Sequence, residues 1–332
     1  MKRKLYSLTR TILPMLILGL VFVQCKSDKS SSKDSVTTTT TTEVNFDELE
    51  ETPVSGKATI LVEESIFPIV DDVNTVFEHE YTRAKIDLVS KPQQEILSLI
   101  FKDSLRIAIL PRDLTAEELA FFEGKVTPKR THFATDAVVF VTSKQYKDSI
   151  VDYDRVVTNL AKSDYLKDKQ SVEGSLANEP ILVFDSYNSS VASFFREATG
   201  NKNFPQDYAY FLPSTSEVVD YVSKNPNAIG VIGLNWLVQP SSELKPLLEH
   251  VKVLGVKNKE DGKYYKATQN NIAEGTYPLT RKLYVLDFQG KSGLGVGFAS
   301  YIAGYKGQRI VLKSGLVPFK TPPRELNVRT EL

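Results

Sequence analysis

From Lys57 onward, short β-branched and aliphatic runs alternate with stretches whose apolar positions recur every three or four residues. Thr59–Val62 predicts a strand. Ile69, Val70, Val73, Val76 and Phe77 then line one face of a helix over Pro68–Tyr81. Lys85–Val89 reads as a strand, Pro92–Phe101 as a helix and Arg106–Leu110 as a strand. Thr115 followed by Glu118 is a capping box, opening a helix that stops near Gly124. Phe133–Val141 is a long, mostly apolar strand. The alternation then repeats, with helices predicted over Asp152–Ala161, Ser190–Thr199 (closed by Gly200) and Glu217–Ser223. Strands are predicted at Ile181–Phe184, Tyr208–Leu212 and Ala228–Ile232. The remainder offers strands at Val251–Val256, Lys282–Phe288 and Arg309–Leu312, and a glycine-rich helix over Leu294–Tyr305.

Strand–helix alternation of this kind predicts an α/β fold, with mostly parallel sheets flanked by helices. A single sheet would need about ten strands, so two lobes of roughly five strands with a cleft between them is the easier arrangement.

The N-terminus follows a different pattern. Lys2, Arg3, Lys4 and Arg10 precede an apolar run, Ile12–Val23, interrupted by Pro14 and Gly19. Twelve helical residues reach roughly 18 Å, short of a ~30 Å hydrocarbon core, so residues 1–24 read as a signal peptide rather than a membrane span. Cys25, the only cysteine, follows directly. It resembles the lipidated cysteine of a bacterial lipoprotein, which would anchor the chain to a membrane without crossing it. Residues 25–55, rich in Ser, Thr and acidic groups, predict a disordered tether.

Lys+Arg and Asp+Glu are 41 each. That balance excludes the basic face that nucleic-acid wrapping requires, yet leaves room for a local anion site. One cysteine and three scattered histidines exclude a disulfide framework and a Cys/His zinc centre. No HExxH, GxSxG or Walker sequence is present, so no catalytic residue is nominated. Gly293, Gly295 and Gly297 lack the third glycine spacing of a dinucleotide fingerprint and read as small residues that let a helix pack closely.

The chemistry concentrates in two similar corners. Ile60-Leu-Val-Glu-Glu-Ser-Ile-Phe-Pro68 and Ile181-Leu-Val-Phe-Asp-Ser-Tyr-Asn-Ser-Ser190 each run an apolar strand into a serine-bearing turn at a helix start. A helix N-terminus with free N–H groups attracts an anion, and in α/β sheets ligands gather beyond the carboxyl ends of strands. Ser65 from one lobe and Ser189 and Ser190, beside Asn188, from the other are therefore candidate ligand contacts. Each is also, by itself, an ordinary cap. Arg112, after the third strand, offers a guanidinium for oxyanion oxygens, or else a surface ion pair with Asp113 or Glu117. Asp136, in an otherwise apolar strand, is a candidate acceptor for the proton of a monohydrogen oxyanion, which would favour phosphate over sulfate. Glu63, Glu64 and Asp185 lie in the same turns.

Several stretches carry a family resemblance. They are Ile107–Glu118, Ala134–Val141, Ser186–Ser190, Asn225–Gly233, Gly275–Tyr284, Gly307–Pro318 and Pro323-Arg324, which together span nearly everything after Gly56. In them the chain resembles the phosphate-binding proteins of bacterial ABC importers, with the type II periplasmic-binding-protein fold, in a lipoprotein form. The resemblance implies a first lobe of residues 56–142 plus 250–332 and a second of 143–249. It implies that Ser65, Arg112, Ser189 and Ser190 face the ligand, with the N–H groups of Ile66 and Val191 as donors. It further implies capture of phosphate or a related oxyanion without cofactor or catalysis. The partner would be an inner-membrane ABC permease, and the protein an exported, lipid-anchored monomer. The acidic turns motivate an alternative, a lipoprotein of the same fold that serves another ligand or a protein partner.

Overall fold

The computed structural model describes residues 44–162 and 179–323. In the first lobe, β1 (Gly56–Glu63) leads through a short 3-10 turn into α1 (Phe67–Glu80), β2 (Ala84–Lys91), α2 (Gln93–Phe101), β3 (Ile107–Leu110) and α3 (Ala116–Ala120). The capping box of α3 is formed in both directions. Strand β4 (Lys129–Ser143) crosses to the second lobe, which contains β5 (Ile150–Val151), α4 (Tyr153–Leu160), β6 (Ile181–Phe184), α5 (Ser190–Thr199), β7 (Ala209–Phe211), α6 (Thr215–Lys224) and β8 (Ala228–Gly233). Next come α7 (Asn235–Val238), α8 (Leu244–Leu248), β9 (Val251–Val253), β10 (Gly255–Lys257), β11 (Tyr264–Tyr265) and α9 (Gln269–Ala273). The chain returns through β12 (Thr280–Asp287), α10 (Leu294–Ile302), α11 (Tyr305–Lys313) and β13 (Val317–Pro318).

The main sheet runs in the order β2-β1-β3-β12-β4-β8-β6-β7. Strands β1, β2 and β3 are parallel, as are β6, β7 and β8, whereas β12 is antiparallel to both its neighbours. Strand β4 joins the two halves. Its residues 129–137 pair with β12, and residues 138–142 pair with β8. Two-sided burial explains the unbroken apolar runs of β3, β6 and β8. In β1, Ile60 and Val62 face a core built with α1 and α10, while Leu61 faces a second one with Ile96 and Leu286. The other lobe packs Val139, Phe140, Val183 and Phe184 against Phe195, Val218 and Val222.

Three expectations are corrected here. The lobes change over at Ala137/Val138 and Leu279/Thr280, not at 142 and 250, because Val251, Leu254, Val256, Tyr277 and Leu279 belong to the second core. The two crossings lie side by side, since the Val138 N–H donates to the Leu279 carbonyl at 2.8 Å and the Tyr277 hydroxyl to the Val138 carbonyl at 2.7 Å. Arg309–Leu312 lies within helix α11, where Gln308 and Val311 are buried on one face. Finally, folded structure begins ahead of Gly56. The Glu51 carboxylate accepts the Leu294 N–H at the start of α10 and an ion pair from Lys291, and Thr52 bridges Ser55. Cys25, with the rest of residues 1–43, lies outside the described residues.

The glycines of α10 do allow close packing, Gly295 against Ile107 and Asp287 and Gly297 against this early segment. A Cβ on Gly297 would lie 1.7 Å from the Pro53 carbonyl oxygen. Gly297→Ala therefore forces backbone apart, and a loss of about 1–3 kcal/mol is expected. Urea unfolding checks it: the midpoint should fall with the slope unchanged.

Candidate functional site

The two serine corners meet. Ser65, in the 3-10 turn after β1, and Ser190, the first residue of α5, place their hydroxyl oxygens 3.1 Å apart, and both residues are buried. The helix starts are aimed at each other because each parallel strand ends at the same edge of its half-sheet and its helix turns back from there. Gly233, at the end of β8, permits the approach. A Cβ there would lie 2.8 Å from the Ser65 carbonyl oxygen and 3.0 Å from Arg281 Nη2.

Glu63 already sits among the donors of this junction. One of its oxygens accepts the Ser65 N–H at 3.0 Å and the Ser65 hydroxyl at 2.5 Å, and the other accepts the Ser190 N–H at 3.1 Å. The side chain is fully buried. Glu64 reaches the second lobe as well, where its carboxylate accepts from the backbone of Thr215 at the start of α6. Burial, followed by the adjacent Glu63 charge, pushes the Glu64 carboxyl up to about 7.

The cation of the site is Arg281, on β12. It donates through Nη1 to Ser190 Oγ at 2.9 Å and through Nη2 to Asp136 Oδ2 at 2.5 Å, with both charged side chains nearly sealed from solvent. Burial outweighs the guanidinium and raises the Asp136 carboxyl. Asp185 is fully buried, and burial and then Glu63 hold its carboxyl well above the usual range. Its Oδ1 accepts the Ser189 hydroxyl at 2.6 Å, while Oδ2 has no protein partner.

The expected residues divide accordingly. Ser65 and Ser190 line the junction, and Asp136 reaches it through Arg281 rather than as a free acceptor. Ser189 is the N-cap of α5, accepting the Ala192 N–H at 3.1 Å, so its hydroxyl is committed to the helix and Asp185. The Asn188 carbonyl accepts the Gln94 N–H from the first lobe at 3.3 Å, a contact between lobes rather than a side-chain ligand. Ile66 precedes α1 and Val191 lies in the first turn of α5, both with buried apolar side chains. Arg112 is a correction. Its guanidinium forks onto Glu118 at 2.6 and 2.7 Å and donates to the Asp113 carbonyl, so it holds α3 in place instead of facing the cleft.

Arg281 had a legible signature that the strand-corner argument passed over. It shares strand parity with Leu279, Leu283 and Val285, all buried, and a charge on the inward face of a strand requires a partner. Among the described residues, no group of three or more His, Cys, Asp or Glu side chains is placed to hold a metal ion.

A profile described as a PBP superfamily domain matches residues 48–305. The chain belongs to that superfamily. Among curated relatives, it is 26% identical to a phosphate-binding protein PstS of Borreliella burgdorferi, over 77% of this chain and 88% of that protein. It is 22% identical to PstS of Pseudomonas aeruginosa, over 77% and 82%. Among solved structures it aligns with one from Clostridium perfringens, described as a phosphate ABC transporter substrate-binding protein with bound phosphate. That match has a TM-score of 0.61 and 18% identity, and covers 80% of this chain and all of the other. An ABC-type phosphate transport receptor from Vibrio cholerae gives 0.57 at 17% identity, covering 79% of this chain and all of the receptor. The two-lobe architecture of this superfamily is the one described above, with the serine junction where the lobes face each other.

Two outcomes follow from these electrostatics. Arg281→Met strands Asp136 in a dry interior, and a loss of about 3–5 kcal/mol is expected. Adding Asp136→Leu should recover most of it, as measured by urea unfolding of the single and double variants. Glu64 is the pH-sensitive group. Because its folded value of about 7 lies above the ordinary 4.5, its stabilising share is complete below 4.5 and is lost as pH rises through 7. Glu64→Gln should therefore raise Tm at pH near 8 and leave it unchanged near 4, in thermal melts across that range.

Proposed function

We propose that this chain is an extracytoplasmic solute-binding protein that captures inorganic phosphate, or a closely related oxyanion, for an ABC importer. The observation that carries the reading is chemical: the junction between the lobes already holds an oxyanion, the carboxylate of Glu63, through donors from both halves. Two N–H groups at helix starts, two hydroxyls and a buried guanidinium form a donor set that an inorganic oxyanion fits. Two PstS proteins stand among the curated relatives, and phosphate receptors among the solved structures share the fold. Asp185 gives a reason for discrimination. When ionised, its Oδ2 accepts the proton of a monohydrogen ligand; when protonated, the form burial favours, it donates to any oxyanion alike. Sulfate, fully ionised, has no proton to offer the ionised carboxylate.

Binding takes no covalent step. The ligand stabilises the closed pair of lobes, with β4 and the entry to β12 as the crossing strands. The same proposal places the protein outside the cytoplasm as a monomer, tethered through a lipid on Cys25 and delivering its ligand to an inner-membrane permease. No described helix is long and apolar enough to cross a membrane.

Calorimetry on the full chain, purified without phosphate, tests the reading with phosphate and sulfate. Saturable heat with phosphate is expected, and Ser190→Ala should weaken it at least about tenfold by removing the hydroxyl that links Arg281 to the ligand. Equal affinity for sulfate, or neither heat nor thermal shift at millimolar phosphate, would overturn it.

A further inference from the structure

Glu63 is chemically a ligand that belongs to the chain. Its two carboxylate oxygens divide between the halves of the molecule, Oε2 on Ser65 of the first lobe and Oε1 on the Ser190 N–H of the second. The hydroxyl hydrogens around it have one consistent arrangement. A guanidinium only donates and an ionised carboxylate only accepts. Arg281 therefore donates to Ser190 Oγ, Ser190 to Ser65 Oγ, and Ser65 to Glu63. A buried cation and a buried anion are joined through two hydroxyls, one from each lobe. Glu64, next in sequence, closes a parallel contact on the start of α6. Further ties between the lobes run from the Trp236 indole N–H to the Glu64 carbonyl at 3.0 Å, and from the Ile69 N–H to Asn235 Oδ1 at 2.9 Å.

Resting on the oxyanion reading above, we propose that Glu63 is a tethered pseudo-ligand: it holds the lobes together without solute, and an incoming anion must displace it from the Ser65 and Ser190 donors. On this proposal the lobes close on Glu63 as well as on a solute. The binding-competent state is the minor one, and apparent affinity is reduced by its population. Glu63 sets the solute concentration at which the receptor responds, and it selects for anions that make more contacts than a flat carboxylate can. The Arg281 Nε and Asp185 Oδ2 atoms, buried and without protein partners, would supply the additional contacts in this proposal.

The test uses the full chain purified without phosphate, as wild type, Glu63→Ala and Glu63→Gln. Phosphate affinity is measured by calorimetry, and lobe closure by small-angle scattering. Glu63→Ala should bind phosphate at least about tenfold more tightly than wild type, with Glu63→Gln shifted in the same direction because it keeps the carbonyl and loses the charge. Without phosphate, Glu63→Ala should have the larger radius of gyration and contract when phosphate is added, while wild type stays compact throughout. Unchanged affinity with an unchanged radius in Glu63→Ala overturns the pseudo-ligand and leaves the phosphate reading standing. An expanded Glu63→Ala that binds no phosphate, alongside a wild type that binds none, supports the latch and overturns the phosphate reading. Should Glu63→Ala fail to fold, Glu63→Gln decides, and an affinity equal to that of wild type overturns the proposal.

Discussion

A single buried guanidinium organises this molecule. Arg281 lies on the inward face of β12, and its two arms reach Asp136 on the neighbouring strand β4 and Ser190 at the start of α5 in the other lobe. A cation sealed from water is tolerated only where its hydrogens find acceptors and its charge a counterpart. Asp136 supplies the counterpart within the sheet, close to where β4 passes between lobes. Ser190 carries the field across the cleft, so the position of a helix in one lobe depends on a strand in the other. Gly233 belongs to the same constraint, since a side chain there would meet both the Ser65 backbone and Nη2 of Arg281.

Around that one cation stand four carboxylates: Glu63, Glu64, Asp136 and Asp185. Left ionised together in a low-dielectric space they would repel strongly. The structure relieves this in two ways. Burial favours the protonated forms of Asp185 and Glu64, whose carboxyls are raised above the ordinary range. A helix start takes up the charge that remains, α5 presenting its N–H to Glu63. That interaction uses the positive end of a helix dipole from the second lobe for a carboxylate at the end of a strand in the first. The acidic turn, which as sequence suggests repulsion of an anion, in the fold becomes the anion.

Much of the architecture is legible along the chain because local signals agree with one another. Ser189, Ser190 and Gly200 bracket α5, and Thr115 with Glu118 opens α3. Arg309–Leu312 misleads because four apolar-rich residues fit either period, and only the whole face from Gln308 to Val311 shows the helix. Residues 44–55 look like tether by composition, yet Glu51 is fixed by the start of α10, more than two hundred residues away in sequence, which no local pattern contains. The site divides in the same way. Ser65 and Ser190 are found from strand–turn–helix grammar, whereas choosing Arg112 over Arg281 is a failure of range. Glu118 lies six residues from Arg112 and captures it, while Asp136 is brought to Arg281 only by β12 pairing with β4.

An occupied anion site and an anion receptor are compatible, because occupancy and selectivity are set by different atoms. Glu63 satisfies two amide hydrogens and one hydroxyl. A tetrahedral anion has oxygens that a flat carboxylate lacks, and Arg281 Nε and Asp185 Oδ2 are buried atoms left without protein partners. Its advantage over Glu63 lies in the contacts the carboxylate cannot make, since the shared ones cancel between the two occupants. The internal ligand thus supplies closure and a threshold, and the additional oxygens of the external one supply discrimination.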